Sequence, residues 1–232
     1  MKTLVIVPAY NEEESLERTI VRLQEAAPEM DFVVVNDGSH DSTADICYKN
    51  NYPCIDLPVN LGLTGAFQAG MKYAMKYDYD CAIQYDADGQ HRPEFLIQLA
   101  AQTVENDIVI GSRFVNEKKP HTLRMLGSNL IQAIIKITTG SNITDPTSGF
   151  RAFNKRMIKE MATGVNYGPE PDTVSYLIKS CGAQVSEIPV QMDERIAGES
   201  YLNLKSSIQY MIRMIISILF IQFFRPNLKK EA

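Results

Sequence analysis

Short apolar runs alternate along the chain with segments of helical periodicity. The runs are typical of buried strands, and apolar positions three and four residues apart between them predict helices. The predicted strands are residues 4–7, 32–35, 54–57, 82–85 and 108–110. The predicted helices are residues 12–26, 42–50, 61–77 and 93–104. This alternation predicts an α/β fold, in which a mixed, mostly parallel sheet is flanked by helices.

The second half of the chain is less regular. Its periodicity predicts helices at residues 123–137, 154–161 and 172–181 and a strand at residues 185–190. The sequence contains no internal repeat or obvious linker, and 232 residues suit one large α/β domain.

Polar residues of the first half cluster where predicted strands end, at residues 8–12, 36–39, 86–88 and 111–113. The carboxyl ends of parallel strands meet at one edge of a sheet, where α/β proteins bind their ligands. We therefore expect these clusters to line one shared crevice.

Asp86 and Asp88 are two carboxylates one residue apart, and they directly follow a predicted buried strand. Hard oxygen ligands suit Mg²⁺ or Mn²⁺, and such sites commonly pair one or two carboxylates with phosphates of a nucleotide. The alternative is a solvated Asp-Gly turn. The neighbouring polar clusters favour the metal site.

Charge and cysteine usage narrow the class of protein. The net charge of −5 excludes a broad basic surface for nucleic acid. The four cysteines have neither metal-type nor paired spacing, which is typical of reduced thiols in a cytosolic protein. The apolar part of the N-terminus is too short for a signal peptide. These features predict a cytoplasmic protein.

Five motifs in a fixed order support a family resemblance. They are Val-Pro-Ala-Tyr-Asn-Glu at 7–12, Asn-Asp-Gly-Ser-His-Asp-Ser-Thr at 36–43, Asn-Leu-Gly-Leu at 60–63, Asp-Ala-Asp-Gly-Gln-His at 86–91 and Ser-Gly-Phe-Arg at 148–151. With these motifs the chain resembles family 2 glycosyltransferases of the GT-A fold, and among them the dolichol- or polyprenyl-phosphate sugar transferases. The resemblance covers roughly residues 1–205 and implies a GT-A domain at residues 1–204.

The resemblance implies an inverting, metal-dependent transfer of a sugar to polyprenyl phosphate at the cytosolic membrane face. The donor would be a nucleotide-diphosphate sugar, with a UDP-sugar slightly favoured over a GDP-sugar, and the cofactor Mg²⁺ or Mn²⁺. Two alternatives stay open. One is a family 2 transferase whose acceptor is a hydroxyl of a surface-polysaccharide or lipid-linked saccharide, and the other is a non-catalytic nucleotide-binding scaffold.

The resemblance also assigns roles to residues. The metal ligands would be Asp86 and Asp88, and the loop at residues 60–63 would pass beneath the nucleotide. The implied nucleotide-binding residues are Pro8, Ala9, Tyr10, Glu12, Asp37, Gly38, Asn60, Gly62, Asp86 and Ala87. Structural alternatives stay open for three of them. Glu12 could complement a helix dipole, Asp37 could form an Asp-Gly turn, and Gly62 could simply open the next helix.

Four residues are implied to act in catalysis: Asp145, Arg113, Arg195 and Gln90. The two arginines would hold donor and acceptor phosphates, since a guanidinium makes bidentate phosphate contacts. The alternative for each is a surface salt bridge. Asp145 is a candidate general base, with Glu170 and Asp172 as competitors, but a lipid phosphate is already anionic and needs little deprotonation. His91 is interpreted as a residue that packs or caps the following helix, and it is left out.

Residues 205–224 form a nearly apolar segment with a narrow polar stripe of Ser206, Gln209, Arg213 and Ser217. The basic residues Arg225, Lys229 and Lys230 follow. This pattern favours a second unit at residues 205–232, an amphipathic helix that lies on a membrane surface or binds a partner. The partner could be a small membrane protein or a second copy of the chain, and the alternative is a buried helix. A membrane span is disfavoured, because Arg213 would lie within it. The helix at residues 123–137 also has a wide apolar face and could line the acceptor groove.

Overall fold

The computed structural model describes residues 1–120, 122–165, 167–195 and 204–221. Its described residues form a seven-stranded mixed sheet in the order β3-β2-β1-β4-β6-β5-β7. The strands are β1 Thr3–Ala9, β2 Asp31–Asn36, β3 Cys54–Asp56, β4 Cys81–Gln84, β5 Ile108–Ser112, β6 Arg151–Asn154 and β7 Val185–Pro189. All pairings are parallel except those of β6, which runs antiparallel to both β4 and β5.

Helices cover both faces of the sheet. They are α1 Leu16–Ala26, α2 Thr43–Lys49, α3 Gly62–Lys76, α4 Leu96–Gln102, α5 Leu123–Thr139, α6 Lys155–Thr163, α7 Pro171–Cys181 and α8 Leu204–Ile216. A short 3₁₀ helix, Pro93–Phe95, precedes α4, and a π-helical turn, Ser217–Ile221, follows α8.

The central strand β1 shows how the two layers form. Successive side chains of a strand point to opposite faces of the sheet. Leu4 and Ile6 therefore pack into the core shared with α3, α5, α6 and α7, whereas Val5 and Val7 pack into the core shared with α1, α2 and α4. All four side chains are fully buried. The predicted α/β architecture with a mostly parallel sheet is confirmed.

The helix predicted at residues 12–26 begins at Leu16 instead. The main-chain carbonyl of Glu12 accepts from the N–H groups of Ser15 and Leu16, which makes residues 12–15 a turn. The strand β6 was not predicted, because it has only four residues and includes a charged one. Its pairing with β4 and β5 is a tertiary event that no local periodicity signals.

The helix α8 packs against α5 and α7, with Met214 and Ile218 buried. The Ser217 hydroxyl donates to Asp172 at 2.5 Å, and Arg213 pairs with Glu170 at 3.1 Å. Two members of the predicted polar stripe therefore contact protein. The side chain of Ser206 and the predicted basic residues Arg225, Lys229 and Lys230 lie outside the described part of the chain.

The helices α5 and α8 expose several large apolar side chains among polar ones such as Lys136 and Arg213. Leu126, Leu130 and Ile137 of α5 are 50–83% exposed, and Ile212 and Ile216 of α8 are about half exposed, at 52% and 47%. We call these five residues the apolar face. No helix among the described residues combines the length and apolar character needed to cross a bilayer. The division of the chain at residue 204 stays a prediction.

Candidate active site

The loops that follow β1 and β2 are held together by hydrogen bonds from main-chain N–H groups. Asp37 donates to the carbonyl of Ala9, Glu12 to Thr43 Oγ1, and His40 to Asn11 Oδ1, each at 2.9 Å. Asn11 has a φ of 54°, which turns the chain sharply after β1. This wall of the crevice contains the predicted residues Pro8, Ala9, Tyr10 and Glu12, and the Tyr10 ring lies edge-on to His40 with centroids 6.4 Å apart.

A second wall joins the loop after β2 to the start of α3. Asp37 is 3% exposed, and its Oδ1 accepts from the N–H of Leu61 at 2.7 Å. Gly38 has a φ of 65°, and a Cβ there would lie 2.7 Å from the carbonyl carbon of Val59. Glycine is therefore required by both conformation and close approach. Part of the role of Asp37 is thus to hold the loop that contains the predicted residues Asn60 and Gly62.

The acidic pair lies directly after β4. Asp86 has a side chain that is 33% exposed, whereas that of Asp88 is 7% exposed. Asp88 Oδ1 accepts from the main-chain N–H of Gln90 at 3.0 Å, and Asp88 Oδ2 lies 2.9 Å from Nη2 of Arg195. Arg195 Nη1 is also 4.0 Å from Glu12. Three predicted catalytic or metal residues, Asp88, Gln90 and Arg195, are therefore in contact.

Burial and the neighbouring carboxylate of Asp86 raise the pKa of Asp88. Burial also raises the pKa of Glu12, although the hydrogen bond from Ser15 opposes the shift. Both shifts have the same physical origin, since they arise where carboxylates are crowded away from water. A cation placed among these groups would relieve that crowding.

The oxygen donors suit a hard divalent cation such as Mg²⁺ or Mn²⁺. Within the described ranges, no group of three or more His, Cys, Asp or Glu side chains is arranged to hold a metal ion. Asp86 and Asp88 could therefore supply only part of a coordination shell, and substrate phosphates would have to supply more. That incomplete donor set fits a metal that binds together with a nucleotide diphosphate.

Arg113 and Asp145 form a second group, after β5. Arg113 Nε and Nη2 donate to the two carboxylate oxygens of Asp145 at 2.7 and 2.9 Å. Asp145 is fully buried, and its main-chain N–H donates to Glu187 at 2.8 Å. Both oxygens of the predicted base therefore already accept from a guanidinium. The competing carboxylates Glu170 and Asp172 contact the C-terminal segment instead.

Sequence reasoning missed a cation beside this group. Lys119 Nζ lies 3.3 Å from the hydroxyl of Ser128 and 3.0 Å from Oε1 of Gln132. Lys119 and Arg113 also approach the same ring, that of Phe114, at 5.7 and 5.1 Å from its centroid. Burial lowers the pKa of Lys119. A lysine in a loop carries no local signal of such a placement.

Arg151, the last residue of the Ser-Gly-Phe-Arg motif, is a structural residue. It is 1% exposed, and its guanidinium donates to the carbonyls of Ser148, Pro146 and Pro169 at 2.6–2.8 Å. These bonds hold the loop that contains Asp145 against the segment before α7. A buried guanidinium that satisfies three carbonyls is typical of a loop anchor rather than of a phosphate site.

Of the two interpretations of His91, the helix cap is wrong, whereas packing is confirmed, since its ring stacks on Phe150. The 3₁₀ helix that follows has Arg92 at its N-cap and no side-chain cap. His91 is instead buried at 3% exposure and contacts Asp86.

The family model described as glycosyl transferase family 2 matches residues 4–162. Undecaprenyl-phosphate mannosyltransferase of Micrococcus luteus is 34% identical over 217 residues, which cover 88% of this chain and 88% of that protein. Polyprenol monophosphomannose synthase of Mycolicibacterium smegmatis is 29% identical over 216 residues, which cover 87% of this chain and 81% of that protein.

A solved structure of glucosyl-3-phosphoglycerate synthase from Mycobacterium tuberculosis, in complex with Mn²⁺, uridine diphosphate and phosphoglyceric acid, has a TM-score of 0.72 to this structure. It is 16% identical and covers 98% of this chain and 80% of that one, so the likeness concerns the fold. The predicted GT-A fold is confirmed. Because the family model matches more than half of the chain, this protein belongs to glycosyl transferase family 2.

Proposed function

We propose that this glycosyltransferase moves a sugar from a nucleotide-diphosphate sugar to polyprenyl phosphate, with inversion at the anomeric carbon. The observation that carries the proposal is the pairing of two sites. An acidic site, with Asp86, Asp88 and Arg195, suits the donor diphosphate. A cationic group, with Arg113 and Lys119, lies beside α5, which exposes Leu126, Leu130 and Ile137. An anion attached to an apolar chain matches the second site.

The donor nucleotide would bind between the two walls of the crevice. Tyr10 and Glu12 on one wall and Asp37 on the other would contact the base and ribose. When bound by Asp86 and Asp88, Mg²⁺ or Mn²⁺ would offset the charge of the leaving diphosphate. The proposed donor is a UDP-sugar, and a donor panel tests it against GDP-sugars.

The acceptor side requires charge and orientation more than a base. A lipid phosphate is anionic near neutral pH, so its oxygen can attack the anomeric carbon without first losing a proton to the protein. Arg113, held rigidly by Asp145, and Lys119 would orient it, and such positioning supplies much of the rate. The relatives named for undecaprenyl phosphate and polyprenol support this acceptor. Asp145 with both oxygens engaged disfavours a hydroxyl acceptor that needs a base.

The apolar face would rest on the cytosolic surface of the membrane that contains the acceptor. Lys119 contacts α5 at the buried Ser128, whereas Leu126 and Leu130 lie two residues away and are exposed on the opposite side of the helix. With the apolar face on the bilayer, α5 would join the membrane surface to the cationic group that receives the lipid phosphate.

The test is transfer of radiolabel from a panel of UDP- and GDP-sugars into short-chain polyprenyl phosphate by purified protein with Mn²⁺. We expect label in a mild-acid-labile lipid that is lost in chelator and in Asp88→Asn. Label that enters only a saccharide hydroxyl, or donor hydrolysis without lipid label, would contradict the proposed acceptor. A protein that binds nucleotide but turns over no donor would be a scaffold.

A further inference from the structure

Two buried residues, Gln84 and His91, form hydrogen bonds with Asp86. Gln84, the last residue of β4, is 1% exposed, and its Nε2 donates to Asp86 Oδ1 at 2.8 Å. His91 Nδ1 accepts from the main-chain N–H of Asp86 at 3.0 Å. Since Nδ1 is the acceptor, the ring proton is on Nε2, which lies 3.6 Å from Asp86 Oδ2. Asp86 Oδ1 therefore faces Gln84, whereas Asp86 Oδ2 and the main-chain N–H of Asp86 face His91.

The surroundings fix this arrangement. The His91 ring stacks on Phe150, with centroids 4.6 Å apart and planes 9° from parallel. Gly149 leaves the space that the Asp86 carboxylate occupies, because a Cβ there would lie 3.1 Å from both Asp86 Oδ2 and Gln84 Nε2. The Ser-Gly-Phe segment thus supports the acidic pair from the neighbouring loop.

The orientation of Gln84 carries a cost. Within the described part of the chain, its buried Oε1 has no hydrogen-bond partner. A buried acceptor without a partner is destabilising, and turning the amide would place that oxygen against the Asp86 carboxylate. The folded protein therefore leaves Gln84 Oε1 unsatisfied, and in this orientation Gln84 Nε2 donates to Asp86.

We propose that Gln84 and His91 are positioning residues that hold the Asp86 carboxylate in the orientation in which it binds the metal ion. Gly149 provides the room for this orientation. The inference rests on the proposed metal site. Groups that orient a metal ligand typically change metal affinity when they are removed, by roughly 10- to 100-fold.

The test is Mn²⁺ binding to the purified full chain in the presence of UDP, followed by the electron paramagnetic resonance signal of free Mn²⁺. We expect Gln84→Met to lower Mn²⁺ affinity roughly tenfold or more. The same variant should melt at an unchanged or higher temperature in metal-free buffer, because it removes the buried acceptor. A simple packing defect would lower the melting temperature, so the opposite movement of the two quantities identifies a positioning role.

Two substitutions of His91 separate its two nitrogens. His91→Asn keeps an acceptor at the place of Nδ1, whereas His91→Gln keeps a polar group near Nε2 only. We expect Asn to retain more Mn²⁺ affinity than Gln. Equal losses, or the reverse order, would overturn the role of Nδ1.

The matched control is Tyr85→Phe. Tyr85 points to the opposite face of β4, and its buried hydroxyl has no partner among the described residues, so Mn²⁺ affinity should not change. Asp88→Asn distinguishes a failure of the proposed metal site from a failure of the positioning role. Unchanged Mn²⁺ affinity in Asp88→Asn would refute the metal site itself. Loss in Asp88→Asn with full affinity in Gln84→Met and His91→Gln would refute only the positioning role.

Discussion

The guanidinium of Arg195 lies 2.9 Å from the carboxylate of Asp88, so a protein cation already contacts the acidic pair. The acidic neighbour of Arg195 at position 193 does not hold it, since Asp193 pairs with Arg22 and Arg92. Arg195 therefore points into the site rather than forming a local salt bridge. A metal ion at Asp88 would have to share this carboxylate with the guanidinium or displace it.

Replacing Arg195 with Gln should tighten Mn²⁺ binding to the nucleotide-free protein, because it removes a positive charge that competes for Asp88. The same variant should lower sugar transfer, because a cation near the phosphates is lost. Calorimetric titration with Mn²⁺ and a turnover assay measure the two effects. Arg195→Lys, which keeps the charge, is the control. Weaker Mn²⁺ binding in Arg195→Gln would show that the guanidinium does not compete.

Arg113 and Asp145 should act as one unit, because two parallel hydrogen bonds join them. We expect Arg113→Gln and Asp145→Asn each to lower transfer to polyprenyl phosphate by roughly tenfold or more, and the double variant to be little worse than either single variant. Initial rates over a range of acceptor concentrations give the three values. Losses that multiply in the double variant would instead indicate independent roles, such as a base at Asp145.

The apolar face should govern access to acceptor in a bilayer. Leu130→Asp combined with Ile212→Asp is expected to lower cosedimentation with anionic vesicles, because each fully buried side chain of this size contributes about 1.5–3 kcal/mol. Transfer to long-chain acceptor in vesicles should fall with it, and transfer to short-chain acceptor in detergent should persist. Ile97→Asp is the control, since Ile97 is 60% exposed on α4, across the sheet. Vesicle binding that falls equally in the control would contradict the role of the apolar face in membrane binding.

Asp107 should make stability depend on pH. Burial would raise its pKa, but hydrogen bonds from Arg156, the main chain of Gln184 and Asn154 lower it below the usual value of 3.8. A lowered pKa means that the carboxylate stabilises the fold fully above the unfolded-state value and loses this contribution as the pH falls below it. We expect Asp107→Asn to lower the free energy of unfolding by about 2 kcal/mol at pH 7.

Urea denaturation at pH 7 and pH 3 checks this expectation. The variant should lose less stability between the two pH values than the parent, since the titrating group is gone. Asp78→Asn, at an exposed salt bridge with Lys155, is the control and should change little. The same pH dependence in Asp107→Asn and the parent would refute the contribution of Asp107 to the pH dependence of stability.

The sequence by itself determined the order of the strands and helices other than β6, and the position of the acidic pair. Alternation of apolar and polar residues is a local property, so the strands around Leu4, Val33 and Ile83 could be predicted from their neighbours. The rule that ligands bind at the carboxyl ends of parallel strands then placed Glu12, Asp37 and Asp86 in one crevice without any knowledge of contacts.

Only the tertiary structure decided which partner each polar group takes. No sequence pattern assigned contacts to Arg151, yet it is a buried anchor of three carbonyls, whereas Arg195 faces Asp88. His91 looks like a helix cap until β4, β6 and the Ser-Gly-Phe loop bring Phe150 and Asp86 against it. These outcomes depend on residues distant in sequence. Burying a charged group away from water is costly unless the group is paired, so each buried charge pairs with a group that the packing brings near it. No local sequence pattern specifies which group that is.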